Sequence, residues 1–230
     1  MKKIIVLDIK FTFGETEDII HPVVLKDDTN MVLIDCGYTG YLMAIERVME
    51  ENGLSCKDLT HIVITHQDHD HMGSLLQLKS KYTQVKVVAG KEEAPYISGR
   101  LKSLRLQQAE ALQPYLPKEQ KESGEAFLKI LKKVETAEVD IEVQDGDFFN
   151  WCGGCTIIGT PGHTPGHISI YMQEEQILIA GDAATIENGE LVIANPQFTL
   201  NLDKAKESLQ KLKTYGAKEI ICYHGGIFTS

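Results

Sequence analysis

The sequence predicts an α+β chain in which two β-sheets pack against each other with helices outside. Three observations carry this expectation. Short β-branched runs occur in both halves, helix-like segments accompany the strands of each half, and a polar helical stretch with no strand signal separates the halves. At 230 residues the chain is long enough to bury one large core without disulfides, so residues 1–230 are expected to form a single domain.

IIVLDIKF opens the chain as a strand. DIIHPVVL and MVLIDCG flank KDDTN, whose Asp and Asn residues suit a tight turn, so this stretch reads as a hairpin. Thr39 is expected to cap a helix over GYLMAIERVMEEN, where Leu42, Ile45, Val48 and Met49 recur at helical spacing and Gly53 ends the run. HIVIT is a short strand, GSLLQLKSKY a helix and QVKVVAG another strand. Across residues 91–135 the strand signals stop. KSLRLQQAEALQPYLP and KESGEAFLKILKKV read instead as polar amphipathic helices broken by Pro114 and Pro117, a helical insertion placed to serve as a lid. VDIEV, FFNWCGGCTIIGT, HISIYM and QILIAGD resume the strands, DKAKESLQKLKTYGA forms a helix, and KEIICYHGG is the last strand.

Composition excludes several classes of function. A formal net charge of -10 argues against a surface that neutralises nucleic-acid phosphates, so no nucleic-acid partner is expected and a small molecule is. MKKIIVLDIK has only four apolar residues before Asp8, too few for a secretory core, and no run reaches membrane length; no membrane association is expected. The five cysteines have no regular spacing and fit free thiols, which places the chain in the cytoplasm. On base rate alone, a homodimer is compatible with such a chain.

The densest chemistry lies in THQDHDHMGS, directly after the strand HIVIT. A loop at a strand's C-terminal end can converge side chains in a way that a regular element cannot, and His66, Asp68, Asp70 and His71 are the residues placed to do so. Mixed imidazole and carboxylate donors suit zinc, manganese or iron, whereas calcium or magnesium would call for oxygens alone. Three distant residues sit in similar places. His163 follows TIIGT in GTPGHTPGHISIY, Asp182 ends ILIAGD, and His224 ends IICYH. Four strand ends each presenting His or Asp form a ring at one edge of a sandwich.

This ordered set resembles the metallo-β-lactamase superfamily, whose hallmark is a His-x-His-x-Asp-His loop followed by a lone His, a lone Asp and a His on the terminal strand. The resemblance covers nearly the whole chain and implies a four-layer αββα sandwich binding two divalent metal ions, with zinc expected and iron or manganese as alternatives. It implies that His66, Asp68 and His163 hold one metal, that Asp70, His71 and His224 hold the other, and that Asp182 bridges them. One departure stands out: Asp68 occupies the place of the second histidine, adding negative charge and hardness. An acidic residue there is also similar to the flavodiiron branch. The resemblance further implies that Asp35 and His167 support the metal loops through hydrogen bonds. His69 reads as a hydrogen-bonding neighbour of the ligands or an exposed side chain. His21 and His61 read as structural, CGGC as a Gly-Gly hairpin turn, and Cys222 as buried strand.

By the same resemblance the expected chemistry is hydrolysis of an ester, thioester or lactone by a metal-bridging hydroxide oriented by Asp70. Only six residues follow His224, so the helical domain with which glyoxalase II enzymes recognise glutathione is not expected. Tyr96, Tyr115 and Phe127 are the aromatics available to line a lid, or merely to fasten its helices. Two rival readings stay open: a flavodiiron-like redox protein, and a metal-binding module with a silent site.

Overall fold

The computed structural model describes residues 2–13 and 16–229. The first half contains β1 (Lys3–Val6), a ribbon of β2 (Ile9–Phe13) and β3 (Thr16–Ile20), then β4 (Val23–Lys26), β5 (Met31–Ile34), β6 (His61–Ile64), β7 (Lys86–Gly90) and β8 (Ile141–Val143). Six of these form a sheet in the order β1-β4-β5-β6-β7-β8, antiparallel as far as β5 and parallel beyond it. The second half contains β9 (Phe148–Phe149), β10 (Cys155–Gly159), β11 (Ile168–Met172), β12 (Ile177–Gly181), a ribbon of β13 (Thr185–Glu187) and β14 (Glu190–Val192), β15 (Glu219–Cys222) and β16 (Gly226–Thr229). Its sheet runs β16-β15-β12-β11-β10-β9. The helices are α1 (Leu42–Glu51), α2 (Leu75–Lys81), α3 (Ala94–Ile97), α4 (Leu104–Leu112), α5 (Lys121–Leu131) and α6 (Leu202–Lys213).

Side-chain alternation assigns every layer. Val23, Leu25, Val32, Ile34, Val63 and Val88 point inward and meet Ile157, Ile168, Ile170, Met172, Ile179 and Ile221 of the second sheet. Their neighbours Val24, Leu33, Ile62, Ile64 and Val87 point outward and are covered by Ile45, Val48 and Met49 of α1 and Leu75 and Leu78 of α2. On the far side Ile158, Leu178, Ala180 and Ile220 pack beneath Leu209 and Leu212 of α6. The result is the four-layer αββα sandwich. Each fully buried Leu, Ile or Val contributes about 1.5–3 kcal/mol, so the three apolar layers account for most of the driving force.

Several expectations are corrected in detail. IIVLDIKF divides between β1 and β2, and DIIHPVVL divides at Pro22, which has no N–H to give and instead accepts a hydrogen bond from the Leu7 N–H at 2.8 Å. Thr39 does not cap α1. Tyr41 holds that position without a side-chain bond, and its N–H donates to the Ser74 hydroxyl at 2.9 Å. The helical stretch expected over residues 91–135 carries α3, α4 and α5 and lies on the connection between the parallel strands β7 and β8.

Candidate metal centre

Strand direction gathers the candidate residues. β5 and β6 run parallel, and β10, β12 and β15 also share a direction because β11 lies antiparallel between β10 and β12. Their C-terminal ends therefore open at one edge, carrying Asp35, the loop from His66 to His71, His163, Asp182 and His224. Three groups of potential ligand atoms come within 4.8 Å of one another: His66, Asp68 and His163; His66, His71 and Asp182; and Asp70, His71 and His224. All seven residues singled out in the sequence are thus brought together. His71 Nε2 lies 3.4 Å from Asp182 Oδ1, and His163 Nε2 lies 3.5 Å from Asp182 Oδ2, so the Asp182 carboxylate faces both sets.

Asp35 fixes the loop from below. Its Oδ1 accepts the Thr65 N–H, and its Oδ2 accepts the Thr65 hydroxyl and faces His71 Nδ1, each at 2.8 Å. That leaves His71 Nε2 for the centre. Asp35 holds a left-handed backbone with φ of 61°, which Asp tolerates better than most residues. His167 supports the other side: its Nε2 accepts the Asp182 N–H at 3.0 Å, so its protonated Nδ1 meets Thr160 Oγ1 at 2.8 Å. Burial, and then the neighbouring His66 and His163, hold its pKa well below the usual histidine range and keep it neutral. Space is equally determined. A Cβ on Gly73 would stand 2.3 Å from the Thr39 backbone N, so only glycine lets this loop close against its neighbour.

Three contributors were not legible in the sequence. Glu93 is fully buried and accepts the Gln67 N–H at 3.0 Å and the Gly166 N–H at 2.8 Å, tying together the two loops that carry the histidines. Tyr223 packs against His71 at 3.9 Å between ring centroids, with the rings tilted by 34°, and donates its hydroxyl to the Asp70 carbonyl at 2.6 Å. Arg105, from α4, binds Asp68 with Nη2 2.6 Å from Oδ2. Burial pushes the Asp68 carboxyl upward, but Arg105, His163 and His66 outweigh it and hold the carboxyl well below the usual range. The extra negative charge of Asp68 was the one available signal, since a buried carboxylate needs a cation.

The remaining residues fall where their chemistry suggests. His69 packs edge-on between Tyr38 and Phe127, each 5.5 Å away, with Nδ1 3.3 Å from Asp70 Oδ1. His21 meets Asp8, and His61 packs against Trp151. Phe127 reaches the cavity over the centre; Tyr115 is 85 % exposed and Tyr96 lies beside a separate, smaller cavity. The main cavity, about 690 Å³, has Asp68, Asp70, His163, Asp182 and His224 among its lining. Phe11, Tyr38, Tyr41, Phe127, Ile130 and Phe198 supply apolar wall.

The donor set fits divalent cations. His66 Nε2, His71 Nε2 and Asp182 Oδ1, all facing the centre, are buried without a hydrogen bond, an arrangement that costs free energy unless something else satisfies those atoms. Four imidazoles and three carboxylates around one point match the preferences of zinc and its first-row neighbours.

A sandwich with these strand-end loops defines a class of protein, and comparison with known proteins agrees. Residues 16–224 match the model of the metallo-beta-lactamase superfamily, and the chain belongs to that superfamily. Among curated relatives it is 28% identical over 216 residues to the "Probable metallo-hydrolase YflN" of Bacillus subtilis, covering 85% of this chain and 75% of that one. It is 28% identical over 221 residues to a hydroxyacylglutathione hydrolase of Bartonella henselae, covering 92% of this chain and 68% of that one. A metallo-beta-lactamase family protein from Thermus thermophilus superposes with a TM-score of 0.74 at 21% identity, over 98% of this chain and 74% of its own. Among the described residues, no helix is long and apolar enough to cross a membrane.

Proposed function

We propose that the chain is a metal-dependent hydrolase of small, neutral carbonyl compounds: esters, thioesters or lactones. The observation that carries this reading is the convergence of three His/Asp groups, with orphaned buried ligand atoms, on the floor of a cavity of about 690 Å³. His66, Asp68 and His163 would hold one divalent ion, Asp70, His71 and His224 a second, and Asp182 would serve both. Zinc is the expected metal, with iron or manganese as alternatives favoured by the harder Asp68 ligand. When bound, such ions polarise a carbonyl and acidify water.

The protein's own groups supply the rest. Asp70, whose Oδ2 faces His224 Nε2 at 3.1 Å, is the catalytic carboxylate: it orients the attacking water and takes its proton as the new C–O bond forms. The bond to the leaving oxygen or sulfur then breaks, and the leaving group takes up a proton. Asp35, Glu93 and His167 hold the loops still during this change, while the aromatic wall excludes water from the apolar part of the substrate.

Lining charge argues for a neutral substrate. Asp18 and Glu187 add carboxylates, and the guanidinium of Arg105 is engaged by Asp68, Gln108 and the Phe198 carbonyl. An anionic body such as glutathione finds no free guanidinium on this lining. With zinc-loaded protein, neutral aryl esters and lactones should be hydrolysed with a kcat/KM at least about tenfold above that of a glutathione thioester, a preference of roughly 1.4 kcal/mol. Chelator should abolish turnover, and Asp70→Ala should lower kcat by about 10²- to 10⁴-fold. A metal-loaded chain that turns over none of these substrates would sink the hydrolase reading in favour of a redox or binding role.

A further inference from the structure

The single buried residue of α4 is its arginine. A helix anchored to a globular domain normally buries an apolar stripe, yet here Arg105 is 2 % exposed while the leucines on either side of it are only partly covered. Its guanidinium crosses to the metal loop. Nη2 donates to Asp68 Oδ2 at 2.6 Å, and Nε lies 3.2 and 3.3 Å from the two carboxylate oxygens. The other donors are also engaged, Nη1 by Gln108 Oε1 and Nη2 by the Phe198 carbonyl, both at 2.6 Å. Meanwhile Asp68 Oδ2 points between His163 Nε2 at 3.1 Å and His66 Nε2 at 3.6 Å. One carboxylate therefore faces a fixed cation on one side and two candidate ligands on the other.

We propose that Arg105 is a positioning residue for the metal centre, and that Asp68 and Arg105 act as one unit that replaces the neutral imidazole expected at this place. The guanidinium charge cancels the extra negative charge of the carboxylate, so the ligand set keeps the formal charge that a histidine would give it. The planar fork also fixes the carboxylate's direction, which a lysine could not do. Neither group tolerates burial without the other, so the pair must be exchanged together. Because Arg105 is the buried residue of α4, that helix is tied to the centre by charge rather than by an apolar stripe.

The inference rests on the proposed metal centre, and the test separates the two. Zinc affinity is measured by competition with a chromophoric chelator for the native chain, Asp68→His, Arg105→Met and the double variant, with folding checked by circular dichroism in chelator. In the native background, Asp68→His leaves a guanidinium buried beside a cation and a neutral ring, and affinity at the weaker position should fall about 10- to 100-fold. In the Arg105→Met background, the same substitution should change affinity by no more than about threefold. Should Asp68→His alone fail to fold, a double variant that folds and binds zinc establishes the same dependence. An equal effect of Asp68→His in both backgrounds, or a double variant that fails to fold or binds zinc no better than Asp68→His alone, overturns the inference alone. A native chain that takes up no zinc overturns the metal centre, and the inference with it.

Discussion

Asp35 shows how much of this site depends on a residue that touches no proposed metal. Its two oxygens accept from Thr65 and face His71 Nδ1, and so decide which histidine nitrogen is left for the centre. Asp35→Asn should fold, since Asn also tolerates a positive φ, but its amide can present a donor where an acceptor is needed. Zinc affinity should fall about 10- to 100-fold, measured by chelator competition, with a far smaller change in melting temperature. At this scale the sequence was informative because a ligand needs a particular side chain at a particular strand end, and strand ends are visible in apolar runs. Glu93 and Arg105 escaped because their partners, Gly166 at one and Asp68 at the other, are 73 and 37 residues away. Nothing local distinguishes them from the other charged residues around them.

Among the elements, legibility follows how each is held. α6 was clear from the run DKAKESLQKLKTYGA, whose Leu209 and Leu212 form an apolar face; the Asn201 side chain that caps it was not read from the sequence. α1 was clear for the same kind of face, although its start was misplaced because the capping position falls at Tyr41, whose N–H is received by Ser74 from another loop. The β13–β14 ribbon was missed despite an Asn188–Gly189 turn, whose φ values of 52° and 80° match the left-handed pair that such hairpins need. α4 and α5 differ from the rest, since their buried residues are Arg105 in one and Leu131 in the other. Elements with so little buried apolar surface open at low free-energy cost. Amide hydrogen exchange followed by mass spectrometry should therefore find α4 and α5 exchanging well before β5, β6 and β12, and exchange in α4 should slow when zinc is added. Equal protection of α4 and β6 would contradict this ranking.

Across the whole molecule the two sheets are joined by more than apolar contact. Cys152, Gly153 and Gly154 lie in the five-residue hairpin loop between β9 and β10, with Cys155 already in β10, and Cys152 takes a positive φ of 49°. The Cys152 N–H donates at 2.8 Å to Asp27 Oδ2, in the β4–β5 turn of the other sheet, while Asp27 Oδ1 accepts the Thr29 and Asn30 N–H groups. Burial would raise the Asp27 pKa, but these backbone donors outweigh it and hold the carboxyl well below its ordinary 3.8. A depressed folded-state pKa stabilises fully above the unfolded value and ceases to do so as pH falls through the folded one. Asp27→Asn should thus lower the melting temperature at pH 7, with the gap to the native chain narrowing as pH drops below about 4; a gap independent of pH would refute the assignment. All five cysteines are free and buried, and burial pushes Cys155 up to about 12, so these thiols act as core rather than as a redox pair.

The sequence by itself determined the layer pattern and the ring of His and Asp residues. Side-chain alternation and strand-end position are local properties, written in consecutive residues. Only the tertiary structure decided which distant charges sit together: Arg105 on Asp68, Glu93 across two loops, and Asp27 beneath Cys152. Such pairings depend on where the chain returns after dozens of residues, and the burial that makes them costly to break exists only once both sheets have closed.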